Sequence, residues 1–248
     1  MKNNTRKILL ALSSYDSIVA GRVPVATIRL LVPELSEGGF RSLLHALKTQ
    51  QLITTSRVLS DTSVSITQQG ALLLEAEFPA LSKKWEQWDG SWECMLFRES
   101  PESDKQFRYL RKLLLSEGAF AVNRGVYLAP GSFSEVVLKE CHVSYLANVL
   151  LFRIQSWKIG TQASFVIDKY GLVDLVETYS GISSEVSRLI EIVGREKRLI
   201  YKHKKDISLV YDRVMSVLLE DPGFCSFYFA EVPKPTSIVS NLHSLISL

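Results

Sequence analysis

Apolar and polar positions in the first quarter of the chain alternate with the period of a helix and then with the period of a strand. Helical spacing predicts a first helix over residues 4–20 and a short second helix over 25–32. Ser36, a residue type that favours helix N-caps, precedes the third helix. Two β-branched segments around a polar turn then predict a hairpin that ends near residue 70. This order predicts a winged helix-turn-helix over residues 1–75.

The remaining pattern divides into three parts. Residues 76–89 are predicted to be a linker, because Pro79 interrupts a short helical pattern there. Residues 90–160 alternate as strand, helix, strand, strand, helix, strand, which predicts a ferredoxin-like βαββαβ domain with its helices on one face. Residues 161–248 carry apolar stripes at helical spacing and are predicted to be mainly helical. The predicted fold class is therefore α+β.

Composition excludes several classes of protein. The chain has 248 residues, of which 46% are hydrophobic and 22% charged, and this balance excludes disorder as the main state. Its longest apolar run, over residues 143–152, is far shorter than the ~20 residues that span a bilayer. The three cysteines are odd in number and form no CxxC pair, which is typical of buried thiols in a reducing compartment. We therefore expect a cytoplasmic protein without membrane contact.

Charge is distributed unevenly along the chain. The formal net charge is only +3, yet residues 1–60 hold eight lysines and arginines against three acidic residues. The remainder of the chain is slightly acidic. A basic first quarter indicates a head that binds an anion such as a nucleic acid.

The third helix and the hairpin supply the candidate DNA contacts. A helix that lies in the major groove needs side chains that reach phosphates and base edges, and a wing needs hydroxyls and cations. The expected DNA-binding residues are Ser36, Arg41, Ser42, His45 and Lys48 on the helix, and Arg57 on the wing. A solvated helix face would show the same polar residues, so a protein-interaction module that no longer binds DNA stays open as an alternative.

Motifs of catalysis are missing from the sequence. The four histidines stand at no metal-ligand spacing with each other or with the cysteines. The sequence contains no GxSxG, Walker or GxGxxG motif. We expect no catalytic residues, no metal site and no cofactor, and hence a protein that is not an enzyme.

Several segments of the middle region are similar to a known family. They are Trp85-x-x-Trp88-Asp89-Gly90-x-Trp92, the helix 107–114, Gly118-Ala119-Phe120 and residues 124–130. In these the chain resembles the PaaX family, which are repressors of phenylacetate degradation. The resemblance is firmest over residues 85–131. Near the C-terminus, residues 218–223 resemble the family's last motif but lack its tryptophan.

The resemblance implies a three-part architecture and a function. It implies an N-terminal winged helix, a central domain like the ferredoxin-fold nuclease subunit of CRISPR adaptation, and a helical C-terminal domain. It also implies a transcriptional repressor that binds a double-stranded DNA operator as a homodimer. The resemblance further implies that a small molecule relieves repression. In the named repressors this effector is an aryl-acyl-CoA.

A second basic segment is the densest charge in the chain. It could contact DNA that flanks the operator, or the phosphates of a CoA-like effector, or it could be a solvated helix face partly neutralised by Glu196 and Asp206. Its basic residues are Arg195, Lys197, Arg198, Lys202, Lys204 and Lys205.

The related nucleases leave one enzymatic alternative, a metal-dependent nuclease of the ferredoxin-fold type. Those nucleases hold a divalent metal with an aspartate at the end of the first strand. Here that strand ends in Arg98 and Glu99. An arginine repels a cation, and one glutamate is a poor site for a hard metal ion that needs several oxygen ligands. We therefore expect the central domain to be a dimerisation domain.

Overall fold

The computed structural model describes the backbone at residues 1–13, 22–58, 61–99, 105–160, 162–195 and 199–247. Those residues divide into two compact units. The terminal unit comprises Met1–Lys83 and Val166–Leu248, and the central unit comprises Lys84–Phe165. The two ends of the chain therefore share one unit, and the middle of the chain forms the other.

Among the described residues, the N-terminal part of the terminal unit is built from four helices and a small antiparallel sheet with the strand order β1-β3-β2. In the hairpin of this sheet, Thr55 lies opposite Val64. The elements are α1 (Asn3–Leu12), β1 (Val23–Pro24), α2 (Val25–Leu31), α3 (Glu37–Thr49), β2 (Ile53–Val58), β3 (Asp61–Ile66) and α4 (Gln68–Glu77). Two 3₁₀ turns follow, at Pro79–Leu81 and Lys83–Glu86.

Two boundaries predicted from the sequence are wrong. The first helix ends at Leu12, because Ser13 adopts an extended backbone and its N–H and hydroxyl both bond to the Leu10 carbonyl. The predicted remainder of that helix, at residues 14–20, lies outside the described residues. The hairpin predicted to end near residue 70 includes Gln68 and Gln69, but both begin α4, because the Thr67 hydroxyl caps that helix by accepting from the Gly70 N–H at 3.0 Å.

The C-terminal part of the terminal unit is helical, as predicted. Its elements are α7 (Gln162–Tyr170), α8 (Leu172–Arg195), α9 (Leu199–Lys202), α10 (Lys204–Glu220), α11 (Cys225–Tyr228) and α12 (Pro235–Ser247). The end of α10 is fixed on α8 by buried Asp221, which accepts a 2.7 Å hydrogen bond from the Tyr179 hydroxyl. Burial raises the pKa of the Asp221 carboxyl.

Buried polar contacts join the N-terminal helices to the C-terminal ones. The ammonium of Lys7, only 2% exposed, lies 3.0 Å from the Ser208 hydroxyl and 2.7 Å from an Asp212 carboxylate oxygen. Ser208 in turn donates to the Leu31 carbonyl at 2.9 Å. A ring nitrogen of His243 on α12 lies 2.9 Å from the Ala11 carbonyl on α1. The winged helix and the C-terminal helices therefore pack together as one unit.

The central unit is a four-stranded antiparallel sheet with the order β5-β6-β4-β7, and two helices pack on one of its faces. The predicted ferredoxin-like βαββαβ layout, and with it the α+β class, is confirmed. The elements are β4 (Trp92–Phe97), α5 (Lys105–Ser116), β5 (Phe120–Asn123), β6 (Val126–Pro130), α6 (Glu135–Ser144) and β7 (Val149–Ile154).

Helix α6 is longer and later than the sequence pattern indicated. The sequence predicts a short helix over residues 132–140, after the break at Pro130-Gly131, whereas α6 spans Glu135–Ser144. Ser134 is the N-cap, since its hydroxyl accepts from the Val137 N–H, and the helix ends where the Tyr145 N–H donates to the Cys141 carbonyl at 2.8 Å. The sequence also predicts Ser103 as the N-cap of α5, since serine favours that position, but Ser103 lies outside the described residues.

A series of aromatic side chains connects the segment before β4 to the central sheet. Trp85, Trp88 and Trp92 contact one another edge to face with centroid distances of 5.6 and 5.8 Å. The same geometry continues from Trp92 to Phe120 at 5.6 Å. The tryptophan motif thus packs the start of the unit onto its sheet, a geometry that aromatic pairs prefer.

Candidate nucleic-acid interface

Helix α3 begins where the sequence predicted it would. The Ser36 hydroxyl accepts from the Gly39 N–H at 3.1 Å, which satisfies a backbone donor that the first turn leaves without a partner. Glu37 occupies the first turn, where a negative charge is favourable. Ser36 is therefore a structural cap, and its hydroxyl is engaged before any ligand arrives.

The two faces of α3 differ in exposure. Phe40 and Leu47 are each 2% exposed and pack into the terminal unit. The opposite face presents the polar residues that the sequence selected, and all of them are exposed: Arg41, Ser42, His45 and Lys48. The Arg41 guanidinium is paired with Glu37 one turn earlier at 3.1 Å, an exposed pair that contributes little and is easily exchanged for another partner.

Arg29 is a positioning residue that the sequence analysis did not identify. Its guanidinium donates to the carbonyls of Val32 and Leu35, the two ends of the turn between α2 and α3. The same group lies 5.4 Å from the centroid of the Phe40 ring. Arg29 thus fixes the angle at which α3 leaves the turn, and no local sequence signal distinguishes it from a surface arginine.

The wing is the hairpin of β2 and β3. Arg57 is exposed on β2 and lies opposite Thr62 on β3. The tip at residues 59 and 60 lies outside the described residues. The base of the wing is held against α4, where a Cβ on Gly70 would lie 2.2 Å from the Leu52 carbonyl oxygen, so only glycine fits.

The second basic segment lies on different elements from α3. Lys202 ends α9, Lys204 and Lys205 begin α10, and all three are exposed. His203 between them lies 2.9 Å from Asp206, so part of the charge is balanced locally. The side chains of Arg195, Lys197 and Arg198 lie outside the described residues.

Within the part of the chain that the structure describes, the end of β4 carries no cluster of metal ligands. Arg98 and Glu99 are both exposed just after β4, and the Arg98 N–H donates to the Asn148 carbonyl at 2.8 Å. Among the residues that the structure describes, no group of three or more histidine, cysteine, aspartate or glutamate side chains could hold a metal ion. The described helices include none that is long and apolar enough to cross a membrane.

Comparisons with known proteins place the central unit in a family. Residues 85–166 match the family model described as the PaaX protein central Cas2-like domain. Curated proteins gave no match. Among solved structures, the uncharacterised protein Rv0674 from Mycobacterium tuberculosis is similar over 97% of this chain and 92% of its own, with 13% sequence identity and a TM-score of 0.44. The central unit of the chain is thus similar to the central Cas2-like domain of PaaX proteins over residues 85–166.

Proposed function

We propose that the protein is a sequence-specific DNA-binding transcriptional regulator that acts as a repressor. The single observation that carries this proposal is the exposed outer face of α3, on which Arg41, His45 and Lys48 stand clear of the core. The major groove of DNA admits an α-helix, and cationic side chains on the outer side of that helix reach phosphates and base edges. The similarity of residues 85–166 to the central domain of PaaX proteins supports regulation as its role.

The proposed mechanism uses two heads. Each protomer of a homodimer lays α3 in a major groove, and half-sites are spaced about 34 Å apart, or a multiple of it. Arg57 on the wing contacts the backbone beside each half-site. A small effector of the acyl-CoA type favours a dimer whose head spacing no longer matches the operator, and this releases the DNA. This takes place in the cytoplasm and requires no catalytic chemistry.

The second basic surface is assigned a supporting role. Lys202, Lys204 and Lys205 contact DNA that flanks the operator or the phosphates of the effector. The double variant Lys204→Ala/Lys205→Ala separates these roles. Weaker operator binding without effector indicates DNA contact, whereas normal operator binding with a weaker response to effector indicates the effector site.

The experiment that tests the proposed function compares two DNA duplexes at fixed salt. One is the region upstream of the protein's own gene, and the other is a shuffled duplex of equal length and composition. We expect the first to bind at least about 1,000-fold more tightly, and both affinities to fall steeply with salt. Equal affinities for the two duplexes would contradict a sequence-specific regulator.

A further inference from the structure

The two edges of the central sheet are protected to different degrees. β5 is four residues long and its register with β6 shifts between Ala121 and Asn123, which are features that blunt an edge. β7 at the other edge is six residues long, and Leu150, Leu151 and Phe152 are 52%, 44% and 47% exposed. An exposed apolar edge strand is a template for pairing with another strand.

The backbone of β7 shows which groups are available for such pairing. The Arg98 N–H donates to the Asn148 carbonyl, so this pair of residues is hydrogen-bonded. Hydrogen-bonded and non-hydrogen-bonded pairs alternate along an antiparallel ladder, and the next hydrogen-bonded pairs between β4 and β7 are therefore those of Leu150 and Phe152. Leu150 and Phe152 therefore bond to β4, whereas Leu151 and Arg153 direct their N–H and C=O groups away from the sheet. The Val149 carbonyl also points outward, while its N–H donates to the Tyr145 carbonyl at 3.0 Å.

These outward groups are complementary to themselves about Leu151. When two β7 strands run antiparallel with Leu151 opposite its own copy, both N–H and C=O of that residue find a partner. In the same register the Arg153 N–H meets the Val149 carbonyl of the other strand. Leu150 then lies opposite Phe152, an apolar pair on one face of the sheet.

The absence of charge on the edge strand favours a second copy as the occupant. Residues 149–152 carry no charge, and the Arg153 guanidinium is bound to Asp89 of its own chain at 3.0 Å. The register places the two Arg153 residues at opposite ends of the ladder, ~14 Å apart, which exceeds the Debye length at physiological salt.

Exposed apolar side chains lie on both faces of the edge strand and beside it. Leu150 and Phe152 lie on one face of the sheet and Leu151 on the other, because successive side chains of a strand alternate. Val143 at the end of α6, and Leu146, Trp157 and Ile159 in the segments that flank β7, are also exposed. A hollow of about 130 Å³ beside them, lined by Met95, Cys141 and Leu151 among others, gives room for an apolar side chain of the partner.

We propose that two copies of the chain pair through β7, antiparallel about Leu151, and join their central sheets into one eight-stranded sheet. This inference rests on the proposed homodimer and names its interface. The two tests below are made without DNA, so a failed interface and a failure of DNA binding give separate results.

The first test is the oligomeric state of the full chain by sedimentation velocity. The wild type is expected to be a dimer, and Leu151→Lys is expected to weaken association at least about 100-fold, because it places two ammonium groups opposite each other at the axis. Leu115→Lys on α5 is the matched control, since Leu115 is 47% exposed in the same unit. A monomeric wild type, or a Leu151→Lys variant that associates normally, would overturn the proposal.

The second test is the register, read by disulfide cross-linking under mild oxidation. Leu151→Cys is expected to cross-link, because directly opposite Cα atoms lie about 5.5 Å apart, within the range that a disulfide bridges. Leu150→Cys alone is expected not to cross-link, because it faces Phe152, whereas Leu150→Cys/Phe152→Cys is expected to do so. A dimer in which Leu151→Cys does not cross-link would rule out this register.

The native thiols give little background in this experiment. Cys94, Cys141 and Cys225 are all buried. Burial raises the pKa of Cys141 to about 11 and that of Cys225 to about 12, so neither forms much thiolate at neutral pH. The wild-type chain, oxidised in parallel, is the control for their contribution.

Discussion

The outer face of α3 and the edge of β7 are both exposed, but their chemistry is opposite. The α3 face carries Arg41, Ser42, His45 and Lys48, while β7 carries Leu150, Leu151 and Phe152. Water solvates the first surface well and the second poorly. The comparison teaches that exposure alone does not identify a partner. A polar cationic face is suited to a polyanion, and an apolar strand edge is suited to another strand.

The largest expected loss of operator affinity comes from removing positive charge from α3. The double variant Arg41→Ala/Lys48→Ala removes two cations from α3, and we expect operator affinity to fall about 100-fold with the dimer unchanged. Lys105→Ala/Lys112→Ala is the control, because these lysines are exposed and also seven residues apart, on α5. Fluorescence anisotropy with labelled operator measures the affinity. Equal losses of affinity in both double variants would show that the loss follows from the net charge of the protein and not from the position of the cations on α3.

A smaller effect on DNA binding is expected from the β7 edge. Leu151→Lys separates the two heads, so binding to an operator with two half-sites is expected to weaken about 20-fold. Binding to an isolated half-site should be unchanged, since α3 itself is intact. The same loss of affinity on both duplexes would mean that the substitution disturbs α3. The two surfaces would then not be independent.

The positioning role of Arg29 is tested by Arg29→Met, which keeps the length of the side chain and removes its donors. The Val32 and Leu35 carbonyls lose a charged partner, and we expect the free energy of unfolding to fall by about 2 kcal/mol. Chemical denaturation measures this change. Operator affinity should fall at a temperature at which the variant is fully folded. A stable variant with normal affinity would contradict the assignment.

The smallest expected effect comes from the wing. Arg57→Ala removes one phosphate contact, so we expect about a fivefold loss of affinity on every duplex. The slope of log affinity against log salt should become shallower by about one. If the loss occurs on the operator alone, Arg57 reads bases and its assignment to the DNA backbone is wrong.

The sequence could predict those features that depend on near neighbours. The Ser36 cap and the polar face of α3 follow from residues within one or two turns, and both are found in the structure. The βαββαβ order also follows from local patterns. These elements required no knowledge of distant contacts.

Features made by distant residues could not be predicted. Arg29 acquires its role only when the turn brings two carbonyls to its guanidinium. The buried Lys7 requires Ser208 and Asp212 from about 200 positions away. The last residues of the apolar run at 143–152 lie at an exposed edge, because burial depends on the neighbours that the fold supplies.

The central claim, that the outer face of α3 reads DNA, is tested most directly by site-specific photo-cross-linking. A Cys replaces Ser42, the new thiol is coupled to an aryl azide, and the protein is bound to radiolabelled operator before irradiation. The account predicts cross-links to bases inside both half-sites, and none from the same probe at Ser116→Cys on α5. Operator that is bound but receives no cross-link from position 42 would contradict the account.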